Sequence, residues 1–521
     1  MNTITIDIKT RSCASIKTHG IFAYAQNKAT RVICVTVKKN SEPPVVWLPP
    51  ELRRQEIVSI SDDRLRQLLE EAALIQAYDI TTEFALWKYT LCRLYPWFPE
   101  VPIKKLSCIA ARAAYLGMGL PLSVLREKLG IPPEEALQLP EGTAIFTNPM
   151  KKIPPESLQL FLKSCMDSVA SEAEIANKII DLPQTEQQIW RAVLAMNDRG
   201  ILIHQDTISN HLEKAVCEEE MLNEEFYAIT GISNPMNGDA VLAYFNQHGV
   251  ALKSLGQSEL DRAIRTLPQG ILHRAVAIRR RLAENRSLCC KRLLSLAGTD
   301  SRIRGLWGYY GNSSGCCRIR YLPDIGDISG VMEAGSDNIF RICRFRSIQN
   351  MLSFWTNSPE RNPRLVAHEL KDYCKTAVLK PGIALYYGKL KISCFNQFLK
   401  IVLPSGRDFF LYEPELDKTW NLFCQFKYGR VIRRMELSGG MLFQMIENAV
   451  KRDIVMFYLL QLAQNRFTPV LVDAKEIVTE DSVFSEANDF FNEIIADQPP
   501  WLEESSPQPV MCLCHQWSKQ S

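Results

Sequence analysis

Thr3-Ile-Thr-Ile-Asp-Ile8 alternates apolar and polar residues with a period of two, and Lys9-Thr-Arg-Ser12 follows it. This is the pattern of a β-strand with one face in a core. Asp7 and Lys9 share a face of that strand, because successive side chains point to opposite sides. Arg31-Val-Ile-Cys-Val-Thr-Val37 reads as a second strand, rich in β-branched residues. Ser61 followed by Asp62 and Asp63 is a helix start, and Leu65, Leu68, Leu69 and Ala72 supply one apolar helical face. From there to about residue 180, helical segments are interrupted by Pro-rich breaks at Tyr95–Pro102 and Ile131–Pro133. Strands followed by strand–helix alternation predict an α/β domain.

The composition around this opening is ordinary. The chain has 521 residues, 46% hydrophobic and 23% charged. It is therefore not a disordered, collagenous or small disulfide-bonded chain, and it has length for about two to four domains. Its longest apolar run, Ile454–Leu460, falls far short of the ~20 residues of a membrane span. Met1–Thr10 has no signal-peptide shape, so the expectation is a cytoplasmic protein with no membrane partner. The sixteen cysteines are irregularly spaced and read as small buried hydrophobes. Cys512-Leu-Cys514-His515 lacks the second Cys pair that a zinc site needs.

After Pro183 a long helical pattern runs through Trp190, Val193 and Leu194 to a stop at Gly200. Residues 208–229 and 258–298 read as helical again. Between Arg262 and Arg304 there are eleven Lys and Arg residues against Glu284 and Asp300. That local surplus of nine stands out in a chain whose net charge is only +3, and it predicts contact with a nucleic-acid backbone. The C-terminal part mixes strands at Gly388–Ser393 and Phe398–Leu403, a long helix at Gly440–Gln464, and a short buried strand at Pro469–Val472.

Several ordered segments together resemble the phage-type family A DNA polymerases with an N-terminal 3′–5′ exonuclease of RNase H-like fold. Ile6-Asp-Ile-Lys-Thr-Arg-Ser12 with Gly20 and Tyr24-Ala25 is similar to the exonuclease opening, and Leu74–Trp87 with Arg93-Leu-Tyr-Pro-Trp97 to its second motif. Trp190 through Asn197-Asp-Arg-Gly200 resembles the entry to the polymerase half. Thr230-Gly231, Gly249-Val250 and Leu255 continue it. Asp300-Ser-Arg-Ile-Arg-Gly305 with Tyr309-Tyr-Gly311 resembles the thumb-to-palm approach. Leu403-Pro-Ser-Gly-Arg407 and the run from Gly439-Gly440 to Arg452-Asp453 resemble later palm segments.

The resemblance implies a multi-domain α/β chain. An RNase H-like exonuclease-type domain would occupy 1–180, a helical thumb-like region 181–310, and a truncated α+β polymerase palm 311–521. It implies DNA, duplex or primer-template, as a partner bound with low specificity. Arg279, Arg280, Arg281, Lys291, Arg292, Arg302, Arg304, Arg407 and Arg452 are the expected contacts.

Both activities of that family run on paired metal ions. Such ions clamp the attacking and leaving oxygens in phosphoryl transfer and require carboxylate ligands. Here the pattern Asp-x-Glu reads Asp7-Ile-Lys9. Glu83 keeps the second-motif acid, but the third-motif Asp falls on Ser168, next to Asp167 and four residues before Glu172. In the polymerase half, the interval Gly311–Arg344 shows no metal-binding Asp strand and no room for fingers. The His-Asp-Glu positions read Ala474, Lys475 and Glu476, and Asp473 could serve only through a register slip. The primer-binding Thr-Gly-Arg-Trp reads Ser314-Gly-Cys-Cys317.

The expectation is a degenerate, prophage-type pseudoenzyme. Asp7, Glu83 and Glu476 are remnants; Lys9, Ser168 and Lys475 are replacements. No metal would be resident, and Mg²⁺ would be needed only if activity were retained. Two other readings stand beside it: a residual metal-dependent nuclease or polymerase, and a scaffold that binds no DNA. In isolation, Asp7 and Glu83 could also be plain surface or cap polarity.

Overall fold

The computed structural model describes the chain except for residues 1, 101–102, 120, 133–142, 310–330, 346–361, 429–430, 474, 485, 503–508 and 518–521. Its first sheet contains β1 (Thr3–Arg11), β2 (Arg31–Lys39), β3 (Val45–Trp47), β4 (Leu74–Ala77) and β5 (Leu106–Cys108), in the order β3-β2-β1-β4-β5. β1 runs antiparallel to β2 and parallel to β4, so it is the central strand. Ile4, Ile6 and Ile8 are buried as the alternation predicts, but Thr5 and Asp7 on the opposite face are buried too. The reason is the long helix α7 (Pro155–Lys178), which packs across β1 and β2.

Six shorter helices fill out this first unit: α1 (Ile16–Gln26), α2 (Asp62–Glu71), α3 (Ile80–Leu86), α4 (Cys92–Leu94), α5 (Ile109–Tyr115) and α6 (Leu122–Lys128). The α2 start is as read, because the Ser61 side chain accepts a hydrogen bond from the Arg64 N–H, satisfying one orphan donor of the first turn. The Pro-rich break after α4 holds Tyr95 and Trp97 edge-on against the buried Trp47, at ring-centroid distances of 5.1 and 5.8 Å.

Helix α8 (Gln184–Arg199) ends at Gly200, whose φ is +70°. A Cβ there would also lie 2.5 Å from the Ile303 carbonyl oxygen, so both conformation and space require glycine. The close approach seats a short pair, β6 (Ile201–Leu202) with β7 (Arg302–Ile303). Between the two strands rises a helical excursion: α9 (Gln205–Thr230), α10 (Gly238–Gln247), α11 (Gln257–Thr266), α12 (Ile271–Glu284) and α13 (Ser287–Leu296). The run expected to be helical over 258–298 is thus three helices. Pro268 and Gly270 break it first. Asn285 breaks it again, its side chain accepting the Ser287 N–H at 2.8 Å.

The remainder begins with β8 (Met332–Glu333) and β9 (Asn338–Arg344), followed by α14 (Pro363–Leu379). A six-stranded antiparallel meander comes next: β10 (Leu385–Tyr387), β11 (Leu390–Phe395), β12 (Phe398–Val402), β13 (Asp408–Leu416), β14 (Leu422–Tyr428) and β15 (Val431–Glu436). Then come α15 (Gly439–Gln464), β16 (Pro469–Val472), β17 (Glu476–Ser482), α16 (Glu486–Ala496), β18 (Val510–Cys514) and β19 (Gln516–Trp517). A four-stranded sheet of order β16-β17-β9-β18 lies beside α15, the most buried of these helices. Helix α14 covers one face of the meander. The first unit touches the other, through Tyr115 against Phe410 at 5.6 Å.

Candidate functional site

Two sheet ends carry the acidic positions. In the first, β1 presents Asp7, α3 presents Glu83 and α7 presents Glu172, and all three are buried. Asp7 and Glu83 are therefore not surface or cap polarity; the helices on both sides of the sheet enclose them. The Lys9 ammonium nitrogen lies 2.9 Å from Asp7 Oδ2. Burial opposes the charge on Lys9, but Asp7, helped by Cys165 and Glu83, raises its pKa above the ordinary value. Burial pushes Glu83 well above the usual carboxylate range, and the nearby Asp7 and Glu172 push it further. Glu83 Oε2 has no hydrogen-bond partner among the described residues, which fits a carboxyl that favours its protonated form. Glu172 accepts the Tyr78 N–H at 2.9 Å. Ser168 sits partly exposed one turn earlier on α7, and Asp167 is exposed.

The second sheet end shows the same arrangement. Arg344, the last residue of β9, faces Glu476, the first residue of β17. Its guanidinium donates to Glu476 Oε2 from Nε at 3.2 Å and from Nη2 at 3.1 Å. Asp473 closes the preceding turn, its Oδ1 accepting the N–H groups of Lys475 and Glu476 at 2.6 and 2.8 Å. That double bond fixes the register, so Asp473 is a turn residue. Lys475 is exposed in the same turn. Sequence reading missed Arg344; its signal is a cation closing the strand Asn338–Arg344 opposite the hairpin. Ala474, Ser314–Cys317 and residues 311–330 of the interval Gly311–Arg344 lie outside the described residues. Among the described residues, no group of three or more His, Cys, Asp or Glu is arranged to hold a metal ion.

The structure divides the expected DNA contacts. Arg407 and Arg452 lie inside the protein, because a buried network claims them. Arg407 Nε donates to Asp453 at 2.6 Å. Arg452 grips Glu186 with both terminal nitrogens at 2.6 and 2.7 Å, and Tyr309 donates to the same carboxylate. Burial would raise Glu186, but Arg452 outweighs it and holds the carboxyl below its ordinary range.

Along the basic stretch, Arg280 pairs with Asp261 and Glu284, Arg281 with Glu218, Arg302 with Glu480 and Arg304 with Asp300. Arg292 donates to the Thr18 carbonyl. Arg279 is buried with Nε and Nη1 unpartnered, and burial lowers its pKa. Lys291 is exposed, as are Arg265 and Arg286. None of these three has a carboxylate partner among the described residues.

No family model matches the chain. A DNA polymerase of Bacillus phage SP02 is 23% identical over 335 residues, which cover 60% of this chain and 49% of that one. The chain thus spans about half the length of the curated relative it matches. The POL domain of Pol1 from M. smegmatis, solved in complex with DNA primer-template and dNTP, superposes with a TM-score of 0.59 at 11% identity, covering 99% of this chain and 95% of that one. The mixed α/β architecture is therefore that of a polymerase domain. With the sequence match, the chain is a DNA-polymerase-like protein, similar to the phage-type family A polymerases.

Proposed function

We propose that the chain binds DNA without sequence preference and catalyses neither nucleotide addition nor 3′ trimming. The supporting observation is the Lys9 ammonium at 2.9 Å from Asp7. A divalent ion there would meet a fixed positive charge in a partly enclosed site, where the repulsion is weakly screened. Arg344 against Glu476 supports the same reading for the second sheet.

The strand order β3-β2-β1-β4-β5, with one antiparallel and one parallel neighbour for β1, supports reading residues 1–180 as RNase H-like. The excursion α9–α13 supports a thumb-like role for 181–310, leaving 311–521 as a reduced palm. DNA contact then falls to the exposed cations Arg265, Arg286 and Lys291. The test is incubation with labelled primer-template, Mg²⁺ or Mn²⁺ and nucleotides, alongside a binding titration. Retained duplex binding with no extension and no trimming is expected; trimming that disappears in Asp7→Ala overturns the proposal.

A further inference from the structure

The meander of β10–β15 takes no part in either acidic site, and one of its faces is partly open. Strand alternation and register put Tyr386, Lys391, Ser393, Phe395, Phe398 and Lys400 on that face. The opposite face, with Leu390, Ile392, Cys394, Leu399 and Ile401, is buried under α14. The first unit packs on Phe410, Tyr412 and Phe398, while Tyr386 is 67% and Phe395 39% exposed. Exposed rings on a sheet face leave a hydrophobic cost that a partner would remove.

Charge selects the partner. From Lys380 to Arg407 the chain has four lysines and one arginine but no Asp or Glu. Arg407 is consumed by Asp453, and Lys400 pairs with Asp408 at 2.7 Å. Lys380 and Lys391 are exposed, with no carboxylate partner among the described residues. Lys391 stands directly beside Tyr386 in the cross-strand register. Four residues along β11, about 13 Å, lies Phe395, close to Phe398 and Phe410.

We infer that this face is a platform for single-stranded nucleic acid. Bases stack on Tyr386 and Phe395, and the backbone phosphates run past Lys391. Exposed rings with the Lys391 ammonium between them suit a strand whose bases are unstacked and free to turn; paired bases in a duplex present no free π-face. An acidic peptide would satisfy the lysines but leave the rings unmatched. The surface is separate from the cations assigned above to duplex DNA, so either reading can fail alone.

The test is fluorescence anisotropy with labelled oligo-dT, oligo-rU and a duplex of equal length, using the full chain and Tyr386→Ala, Lys391→Ala and the Tyr386→Ala/Phe395→Ala pair. Tyr386→Ala alone is expected to weaken dT or rU binding by about 5- to 150-fold, with duplex affinity unchanged. Because Tyr386 and Lys391 are exposed, both single variants should melt as the parent does, so a loss cannot be ascribed to unfolding. Unchanged single-strand affinity in both single variants overturns the inference. So does an equal loss for the duplex, or a parent that self-associates through this face and dissociates in Tyr386→Ala.

Discussion

Replacing Lys9 by glutamate tests whether an internal cation stands in the place of a metal. The ammonium lies 2.9 Å from Asp7 Oδ2. At an effective dielectric of about 20 the gross attraction at that distance is about 6 kcal/mol. Desolvation offsets most of it, and the Lys9 side chain is 39% exposed. Lys9→Ala should therefore cost about 1–3 kcal/mol, between the values for surface and fully buried pairs. Lys9→Glu goes further, because it adds a fourth carboxyl to Asp7, Glu83 and Glu172 and turns attraction into repulsion. Without metal it should be the least stable of the three proteins.

Adding Mn²⁺ should then narrow the gap. A metal that binds only the folded state at ~100 times its Kd stabilises by about 2.7 kcal/mol, enough to recover much of the loss. The assay is denaturant unfolding followed by tryptophan fluorescence, with and without Mn²⁺. Trp47, Trp87 and Trp97 all report on the core next to the site. Wild type should not respond to the metal, Lys9→Ala should respond weakly and Lys9→Glu strongly. A wild-type gain equal to that of Lys9→Glu would refute the reasoning, since the ammonium would then be no barrier to a divalent ion.

The other expectations concern the two basic networks. Arg452→Ala leaves Glu186 buried without its counter-ion and should cost about 3–5 kcal/mol, measurable as a lower denaturation midpoint. Because Arg452 holds Glu186 below its unfolded pKa, the pair's contribution is present above the unfolded carboxylate range and lost as pH falls through the folded value. The wild-type advantage over Glu186→Gln should shrink on acidification below about pH 4; a pH-independent difference contradicts the assignment. Duplex affinity should fall with salt, and Arg286→Ala/Lys291→Ala should flatten the log–log slope by roughly 2. Arg280→Ala, which removes a cation already held by Asp261 and Glu284, should leave that slope unchanged in the same titration.

The strands and long helices were legible because each carries a local signal. Thr3–Ile8 alternates, Ser61 caps, and Gly200 stops a helix where a Cβ has no space. Asp7 and Lys9 were legible as neighbours, because strand parity alone puts them side by side; Glu83 joined them only through the resemblance of Leu74–Trp87 to the second exonuclease motif. What the sequence hid is pairing across distance. Glu284 and Asp300, four residues from Arg280 and Arg304, were visible inside the stretch, but the other partners of Arg280, Arg281 and Arg302 lie at 261, 218 and 480, on other helices and another sheet. Arg344 escaped notice because its partner Glu476 is 132 residues away. Composition counts charges but not the carboxylates that fold against them, so a surplus of nine becomes a few exposed cations.

The two sheet ends solve one electrostatic problem in the same way. A cluster of acids enclosed by helices is stable only if something positive sits among them or if some acids keep their protons. A neutral replacement at 9 would take the ammonium from the buried Asp7, and one at 344 would take the guanidinium from the buried Glu476. At the first end the chain uses both remedies: Lys9 neutralises Asp7, and Glu83 is pushed towards its protonated form by burial and by its acidic neighbours. At the second, Arg344 neutralises Glu476 from the opposite strand while Asp473 spends its carboxylate on two backbone N–H groups. A cation delivered by the fold itself needs no metal supply and holds the carboxylate at every ionic condition in which the protein is folded. On the function proposed above, the charge that stabilises each sheet end is also the one that would repel the divalent ion phosphoryl transfer requires, so stability without metal and the proposed loss of catalysis trace to the same two residues, Lys9 and Arg344.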